Sequence, residues 1–318
     1  MSRVLRLGVV MDPIGAIHVH KDSTLAMLLA AQRRGWPLHY MERTDLYLRD
    51  GRCHARMRAL EVHDDPRDWY RLEAPRDAPL AELDLVLMRL DPPYTLNYHY
   101  TAILLERAAA EGVTVVNRPD SLRLINEKLF TAWFPELCPP TLVSAERARL
   151  RAFLEEQGDI VVKPLDAMGG AGVFRLRRGD PNVSTVLEVM TAGHTPVMAQ
   201  RFLPEIQDGD KRILLIDGEP VPYALARIPA EGELRGNLAA GGRGVARPLG
   251  ARDREIAARV GPELVRRGVF FAGLDVIGDH LTEINVTSPT CIRELDAQCG
   301  LDIAGALLDA LQAKLAAT

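Results

Sequence analysis

The chain lacks most of the features that would assign it to a specialised class. Its four cysteines, Cys53, Cys138, Cys291 and Cys299, are scattered. No CxxC pair and no histidine at zinc spacing accompanies them, so they read as reduced thiols rather than as a disulfide frame or a zinc site. A catalytic role for Cys291 competes with a small buried residue, and the buried reading is preferred. There is no excess of either charge. The 39 basic and 43 acidic residues leave a net charge of −4, which gives no electrostatic footprint for nucleic acid or an anionic membrane. No apolar run approaches the length of a membrane span, and no signal-peptide core precedes the first strand, so a cytoplasmic location is expected. Internal repeats and low-complexity tracts are also missing. At 318 residues, 47% of them hydrophobic and 26% charged, the chain is long enough for two or three packed units.

What is present alternates between strand and helix. Arg6 to Met11 reads as a buried strand ending at Asp12-Pro13, and Ser23 to Arg34 carries helical apolar spacing. Strands are expected at Leu38 to Met41, Leu83 to Met88 and Val113 to Val116, with a helix over Ala102 to Ala110. Residues up to about 120 therefore read as an α/β unit with parallel strands. No GxGxxG follows the first strand, so a dinucleotide site there is unsupported.

From about 124 the texture changes. A helix is expected through Glu127 to Phe130, another from Ala145 to Glu156, and a strand over Ile160 to Lys163. That strand runs into a turn containing Gly169, Gly170, Ala171 and Gly172 and resumes at Val173 to Leu176. Exposed N–H groups in such a turn can cradle phosphate, but no Lys-Ser/Thr follows and the turn is not a P-loop. A tight hairpin loop is the simpler reading. Beyond Val197 strands dominate, followed by a helix near Arg254 to Arg267, a hairpin, and a closing helix from Asp302 to Leu315.

Several polar residues stand where chemistry is plausible. Lys163 ends an apolar strand, where an ammonium must meet a partner or a cleft. Lys128 is a helix-surface residue unless it joins Lys163. Arg212 enters an apolar strand and Arg227 closes one; both suit an anionic substrate. The segment 228–245 is too long and glycine-rich for a minimal connection, and either a surface insertion or a lid carrying Arg235, Asn237 and Arg243 fits it.

The hairpin Leu274 to Asn285 is the most informative stretch. With Gly278-Asp279-His280 as a three-residue turn, Asp275 falls opposite Glu283, and Asn285 points the same way as Glu283. Like charges in that register repel unless neutralised, and a divalent cation would neutralise them. Two carboxylates and an amide oxygen form a hard-oxygen set for Mg²⁺ or Mn²⁺; a solvated hairpin with scattered acids is the alternative.

Together these residues resemble the bacterial glutathione synthetases, ATP-grasp carboxylate–amine ligases. The similarity runs nearly end to end: Val10 to Pro13, Lys21 to Ser23, Asn126 to Phe134, Lys163 to Asp166, Arg235 to Gly244, and Thr282 to Thr290. The glycine turn departs from the family's pattern at Ala167 and Gly172 while keeping its backbone donors. The resemblance implies an α/β protein with an α+β lid: an ATP-grasp fold behind a Rossmann-like pre-ATP-grasp domain. Its expected units are an N-terminal domain at 1–123, a central lid at 124–203, and a C-terminal domain at 204–318. It further implies ATP held by Lys128, Lys163, the glycine turn, Asp210 and the segment Gln200, Arg201, Phe202 and Leu203. Mg²⁺ or Mn²⁺ is implied at Asp275, Glu283 and Asn285, the acyl substrate at Arg212, Arg227 and Ser288, and catalytic support from Arg212, Arg227, Arg235, Asn237 and Arg243. The implied reaction joins γ-glutamylcysteine to glycine through an acyl phosphate, in a homotetramer. Ligases resembling D-alanine–D-alanine ligase or glutamate ligases, and a non-enzymatic nucleotide-gated binding protein, are the alternatives.

Overall fold

The structure, a computed structural model, describes residues 4–317 apart from 231, 234, 235 and 237–240. Three sheets follow one another along the chain. The first comprises β1 (Leu7–Met11), β2 (Leu38–Met41), β3 (Leu46–Arg49), β4 (Arg52–Val62), β5 (Tyr70–Leu72), β6 (Arg76–Pro79), β7 (Leu85–Arg89) and β8 (Thr114–Val116). Its main path is β3-β4-β2-β1-β7-β8, with β5 and β6 paired to β4. The pairs β1–β2, β1–β7 and β7–β8 are parallel, as the sequence indicates. Every residue of β1 and β7 is buried, the signature of strands covered on both faces.

The outer part of this sheet departs from the all-parallel expectation. β4 runs antiparallel to β2, β3, β5 and β6. These strands are short or rich in arginine, so their apolar alternation is weak. The helices start at capped positions. Asp22 Oδ1 accepts from the Leu25 N–H at 2.6 Å at the head of α1 (Ser23–Arg33). Thr95 Oγ1 accepts from Tyr98 N–H at 3.2 Å at the head of α2 (Leu96–Ala110). A short α3 (Pro119–Leu124) follows β8. No helix forms at Glu127 to Phe130; Asn126 Oδ1 instead accepts from the N–H groups of Lys128 and Leu129, and only a 3₁₀ turn, Leu129–Trp133, follows. An asparagine bonding to the backbone two and three residues on competes with an α-helix.

The second sheet is antiparallel, in order β11-β10-β12-β9, from β9 (Thr141–Ser144), β10 (Asp159–Pro164), β11 (Phe174–Arg177) and β12 (Val197–Arg201). α4 (Arg147–Gln157) and α5 (Val183–Met190) accompany it. Leu150, Leu154, Ile160, Val162, Leu187 and Val197 give this unit its own core.

The third sheet is also antiparallel, in order β15-β14-β13-β16-β17: β13 (Asp210–Ile216), β14 (Glu219–Ile228), β15 (Arg243–Pro248), β16 (Phe271–Ile277) and β17 (His280–Asn285). It carries α6 (Ala251–Arg266), α7 (Ile292–Cys299) and α8 (Ile303–Ala317). Unlike the second sheet, it shares cores with the first: Val86 and Leu122 cluster with Leu274 and Ile284, and Leu25 and Leu28 with Leu214, Ile292 and Leu307. Asn117 fastens this seam. Its Nδ2 donates to the carbonyls of Phe271 and Val286 at 2.7 Å, while its Oδ1 accepts from the N–H groups of Phe270 and Phe271. Among the described residues no helix is long and apolar enough to cross a membrane.

Candidate active site

The hairpin of β16 and β17 places Asp275 opposite Glu283 and Gly273 opposite Asn285, the pairing read from the sequence. It gets there by another route. Ile277 pairs with His280, so the turn has two residues, Gly278 and Asp279, and the register then shifts between Asp275 and Val276. Thr282 is the extra residue of that bulge, a device that re-aims side chains beside functional sites. Its carbonyl accepts from Lys163 Nζ at 3.0 Å, and its hydroxyl donates to the Asp275 carbonyl at 3.1 Å.

The two facing carboxylates are already neutralised by basic side chains. Arg212 grips Asp275 with two nitrogens, Nε to Oδ1 at 2.6 Å and Nη2 to Oδ2 at 3.1 Å; Arg227 Nη2 adds a contact to Oδ2 at 2.8 Å. Burial opposes ionisation of Asp275, but the two guanidinium groups hold its carboxyl well below the usual range. Glu283 Oε1 accepts from Lys128 Nζ at 2.9 Å. The register therefore does not itself demand a cation. What favours one is the donor chemistry: only oxygen ligands, all lining one cavity. Asn285 commits its nitrogen to the Gly273 carbonyl at 3.2 Å, so its oxygen is the atom it can present.

Arg227 also donates to Asp210 Oδ2 at 2.5 Å, leaving Asp210 Oδ1 buried without a partner among the described residues. Burial pushes the Asp210 carboxyl up despite that arginine. Two glycines make this packing possible. A Cβ at Gly273 would stand 2.7 Å from Arg212 Cδ, and one at Gly236 would collide with the Arg227 carbonyl.

A cavity of about 610 Å³ opens beneath these groups. Lys128 and Lys163 meet on its wall, next to Gly169, Gly170 and Ala171. Burial lowers the Lys163 ammonium, partly offset by Glu283. Gln200, Arg201, Phe202 and Leu203 line the same cavity, as do Asp210, Arg212, Arg227, Asp275, Glu283, Asn285 and Ser288. The Arg201 and Phe202 N–H groups already donate to Pro140 and Asp159 carbonyls, which leaves Leu203 to offer an N–H from that run.

Other candidates lie elsewhere. Gly172 is not on the cavity wall; its left-handed backbone and its proximity to Pro164 shape the turn. Arg243 is not on the wall either. It is the first residue of β15, exposed and paired with Ile228, so the long connection spans 229–242 rather than 228–245. Arg235 and Asn237 lie outside the described residues. Cys291 is buried against the cavity, and burial raises its thiol despite nearby Arg212 and Arg227; none of the four cysteines forms a disulfide.

Sequence reasoning missed Glu127. Its buried carboxylate accepts from Val286 N–H, Thr287 N–H and the Thr287 hydroxyl at 2.8–2.9 Å, while its carbonyl accepts from Ile284 N–H. It fixes the end of the strand that presents Glu283 and Asn285. Its neighbour Asn126 bonds the Leu165 carbonyl at 2.9 Å, tying down the entry to the glycine turn. The only sequence signal was their adjacency to Lys128.

Comparisons with known proteins agree over nearly the whole chain. The family model for the prokaryotic glutathione synthetase N-terminal domain matches residues 5–123, and that for the prokaryotic glutathione synthetase ATP-grasp domain matches 127–300. The glutathione synthetase of Pseudomonas syringae pv. tomato is 60% identical over 314 residues, covering 98% of both chains. That of Vibrio cholerae is 55% identical over 316 residues, covering 99% of both. Among solved structures, the D-cycloserine synthetase DcsG aligns with a TM-score of 0.69 at 16% identity over 97% of this chain and 99% of its own. The ATP-grasp ligase PsnB aligns with a TM-score of 0.62 at 19% identity, over 97% and 98%. These distant structures share the fold, and the closer sequences set the narrower assignment: the chain belongs to the prokaryotic glutathione synthetase family, with an ATP-grasp fold.

Proposed function

We propose that this chain is the ATP-dependent ligase that joins glycine to γ-glutamylcysteine, giving glutathione, ADP and phosphate. The observation that carries this is identity of 55–60% with glutathione synthetases over nearly the full chain. The site chemistry supports it. A carboxylate is a poor electrophile. Its oxygen therefore takes the γ-phosphoryl group as the bond to ADP breaks, and the resulting acyl phosphate is attacked by glycine's neutral amine, expelling phosphate. No covalent enzyme nucleophile is needed, because positioning and charge neutralisation supply the catalysis.

Lys128, Lys163 and the Gly169–Ala171 turn would hold the phosphates, and the Gln200 to Leu203 segment the adenine. Asp275, Glu283 and Asn285 would hold Mg²⁺ or Mn²⁺, which would supply charge neutralisation for the phosphates. Arg212, Arg227 and Ser288 would face the acyl substrate. Arg235, Asn237 and the rest of 229–242 are assigned a protective role over the acyl phosphate, which water would otherwise hydrolyse. The proposed units are 1–123, 124–203 and 204–318, in a cytoplasmic homotetramer. A coupled ADP-release assay with a panel of acyl acceptors and amines tests the activity: release that requires γ-glutamylcysteine and glycine supports it, and preference for D-alanine pairs overturns it.

A further inference from the structure

β17 is an edge strand of the third sheet, so the N–H groups on its outer side need partners from elsewhere in the fold. One residue outside the sheet supplies them. The Glu127 carbonyl accepts from Ile284 N–H at 2.9 Å, and its Oε1 accepts from Val286 N–H at 2.8 Å and from the Thr287 N–H and hydroxyl at 2.9 Å. Asn285 is the last residue of β17 paired with β16, and beyond it the ladder no longer dictates the backbone. Val286 is instead held from both sides: Glu127 takes its N–H, and Asn117 Nδ2 donates to its carbonyl at 2.7 Å. Asn285 is thus bracketed by Ile284 and Val286, both fastened to residue 127. The next residue, Lys128, holds Glu283 Oε1 at 2.9 Å.

We propose that Glu127 is a positioning residue for the divalent cation: it is not itself a ligand, and it sets metal affinity by fixing the direction in which Glu283 and Asn285 present their oxygens. This rests on the metal assignment made above. Side chains that orient metal ligands typically contribute about 10- to 100-fold in affinity, because an oxygen free to turn away must be ordered when the ion binds. Asn285 shows where that order comes from. Its nitrogen is committed to the Gly273 carbonyl at 3.2 Å, and a backbone free to swing at Val286 would carry the amide off that carbonyl and its oxygen out of line. Glu127 removes that freedom with three bonds to one oxygen.

The test measures Mn²⁺ binding by electron paramagnetic resonance, in the presence of a non-hydrolysable ATP analogue, for the intact chain, Glu127→Ala, Glu127→Gln and Thr287→Val. Glu127→Ala removes the acceptor and should weaken Mn²⁺ binding about 10- to 100-fold, with the Mg²⁺ concentration for half-maximal ADP release rising by a similar factor. Glu127→Gln keeps an acceptor oxygen for the two N–H groups and should restore most of that affinity. Thr287→Val removes one of the three bonds to Oε1, so it should show a smaller loss and decides the matter if Glu127→Ala does not fold. Affinity for the analogue without divalent ions should hold in every variant, which general loosening of the site would not allow. Unchanged Mn²⁺ affinity in the folded variants, or equal losses in Glu127→Ala and Glu127→Gln, overturns the positioning role. An intact chain that binds no Mn²⁺ overturns the metal assignment and this role with it. One that binds Mn²⁺ but releases no ADP with γ-glutamylcysteine and glycine overturns the ligase reading alone.

Discussion

Lys128 and Glu283 lie 155 residues apart in sequence and meet at 2.9 Å, with Lys128 also donating to the Ala167 carbonyl at 2.7 Å. One ammonium thus links the third sheet's hairpin to the start of the glycine turn. Substituting it loosens that turn and, on the proposed assignment, removes a phosphate partner. Lys128→Met should weaken ATP binding by about 10- to 100-fold, the scale of a lost charge-assisted contact. Calorimetric titration with a non-hydrolysable ATP analogue measures it; unchanged affinity would return Lys128 to a purely structural role.

Asp275 and Glu283 separate two effects that a sequence reading merges. Asp275 compensates two buried arginines, so Asp275→Asn should lower both activity and stability, by up to about 3–5 kcal/mol for a broken buried pair. Glu283 is about one-fifth exposed. Glu283→Gln should lose more than about 100-fold in turnover with the melting temperature nearly unchanged. Removing divalent ions with EDTA should abolish turnover in the intact chain. A Glu283→Gln enzyme that works normally at ordinary Mg²⁺ would refute the ligand assignment.

Lys163 offers the opposite balance. It is buried, its one direct bond among the described residues is to the Thr282 carbonyl, and burial disfavours its charge. Lys163→Met should therefore keep or raise the melting temperature, because it removes a desolvation cost. ATP affinity should fall at the same time. A large loss of stability with unchanged affinity would identify a structural lysine instead.

These contrasts show what the residues alone could and could not convey. The Asp275–Glu283 register was legible because strand alternation has a period of two, so the two-residue turn with a bulge at Thr282 reached the same pairing as a three-residue turn. The buried parallel strands at Leu7–Met11 and Leu85–Arg89 were equally clear from their continuous apolar runs. The edge strands between Leu46 and Pro79 were not, since their arginines and prolines hide the alternation. Nor could spacing show that Arg212 and Arg227 converge on Asp275: that depends on three strands lying side by side. Asn117 was invisible for the same reason, its four partners lying more than 150 residues away.

Asn117→Ala tests that last point. It would orphan backbone groups at Phe270, Phe271 and Val286, each costing about 1–3 kcal/mol when buried without a partner. Denaturant unfolding should show a loss of at least about 3 kcal/mol, with KM values little changed in the folded fraction. A loss below about 1 kcal/mol would mean that the shared apolar cores, not this side chain, hold the seam.

The connection between β14 and β15 allows the remaining test. Ile228 and Arg243 are paired across the two strands, so a short Gly-Ser turn can replace 230–242 without pulling the sheet apart. The groups proposed to face the nucleotide lie on other elements, so ATP binding should stay near normal. Gly236 packs against Arg227, so the deletion uncovers the arginine pair beside Asp275 and opens the acyl phosphate to water. ADP release that depends on γ-glutamylcysteine should persist at a reduced rate, while glutathione formed per ADP falls well below that of the intact enzyme. Both quantities must be followed, because a slower but fully coupled enzyme would point to mispositioning rather than lost protection. Stoichiometric product at undiminished speed would make the connection a passive insertion.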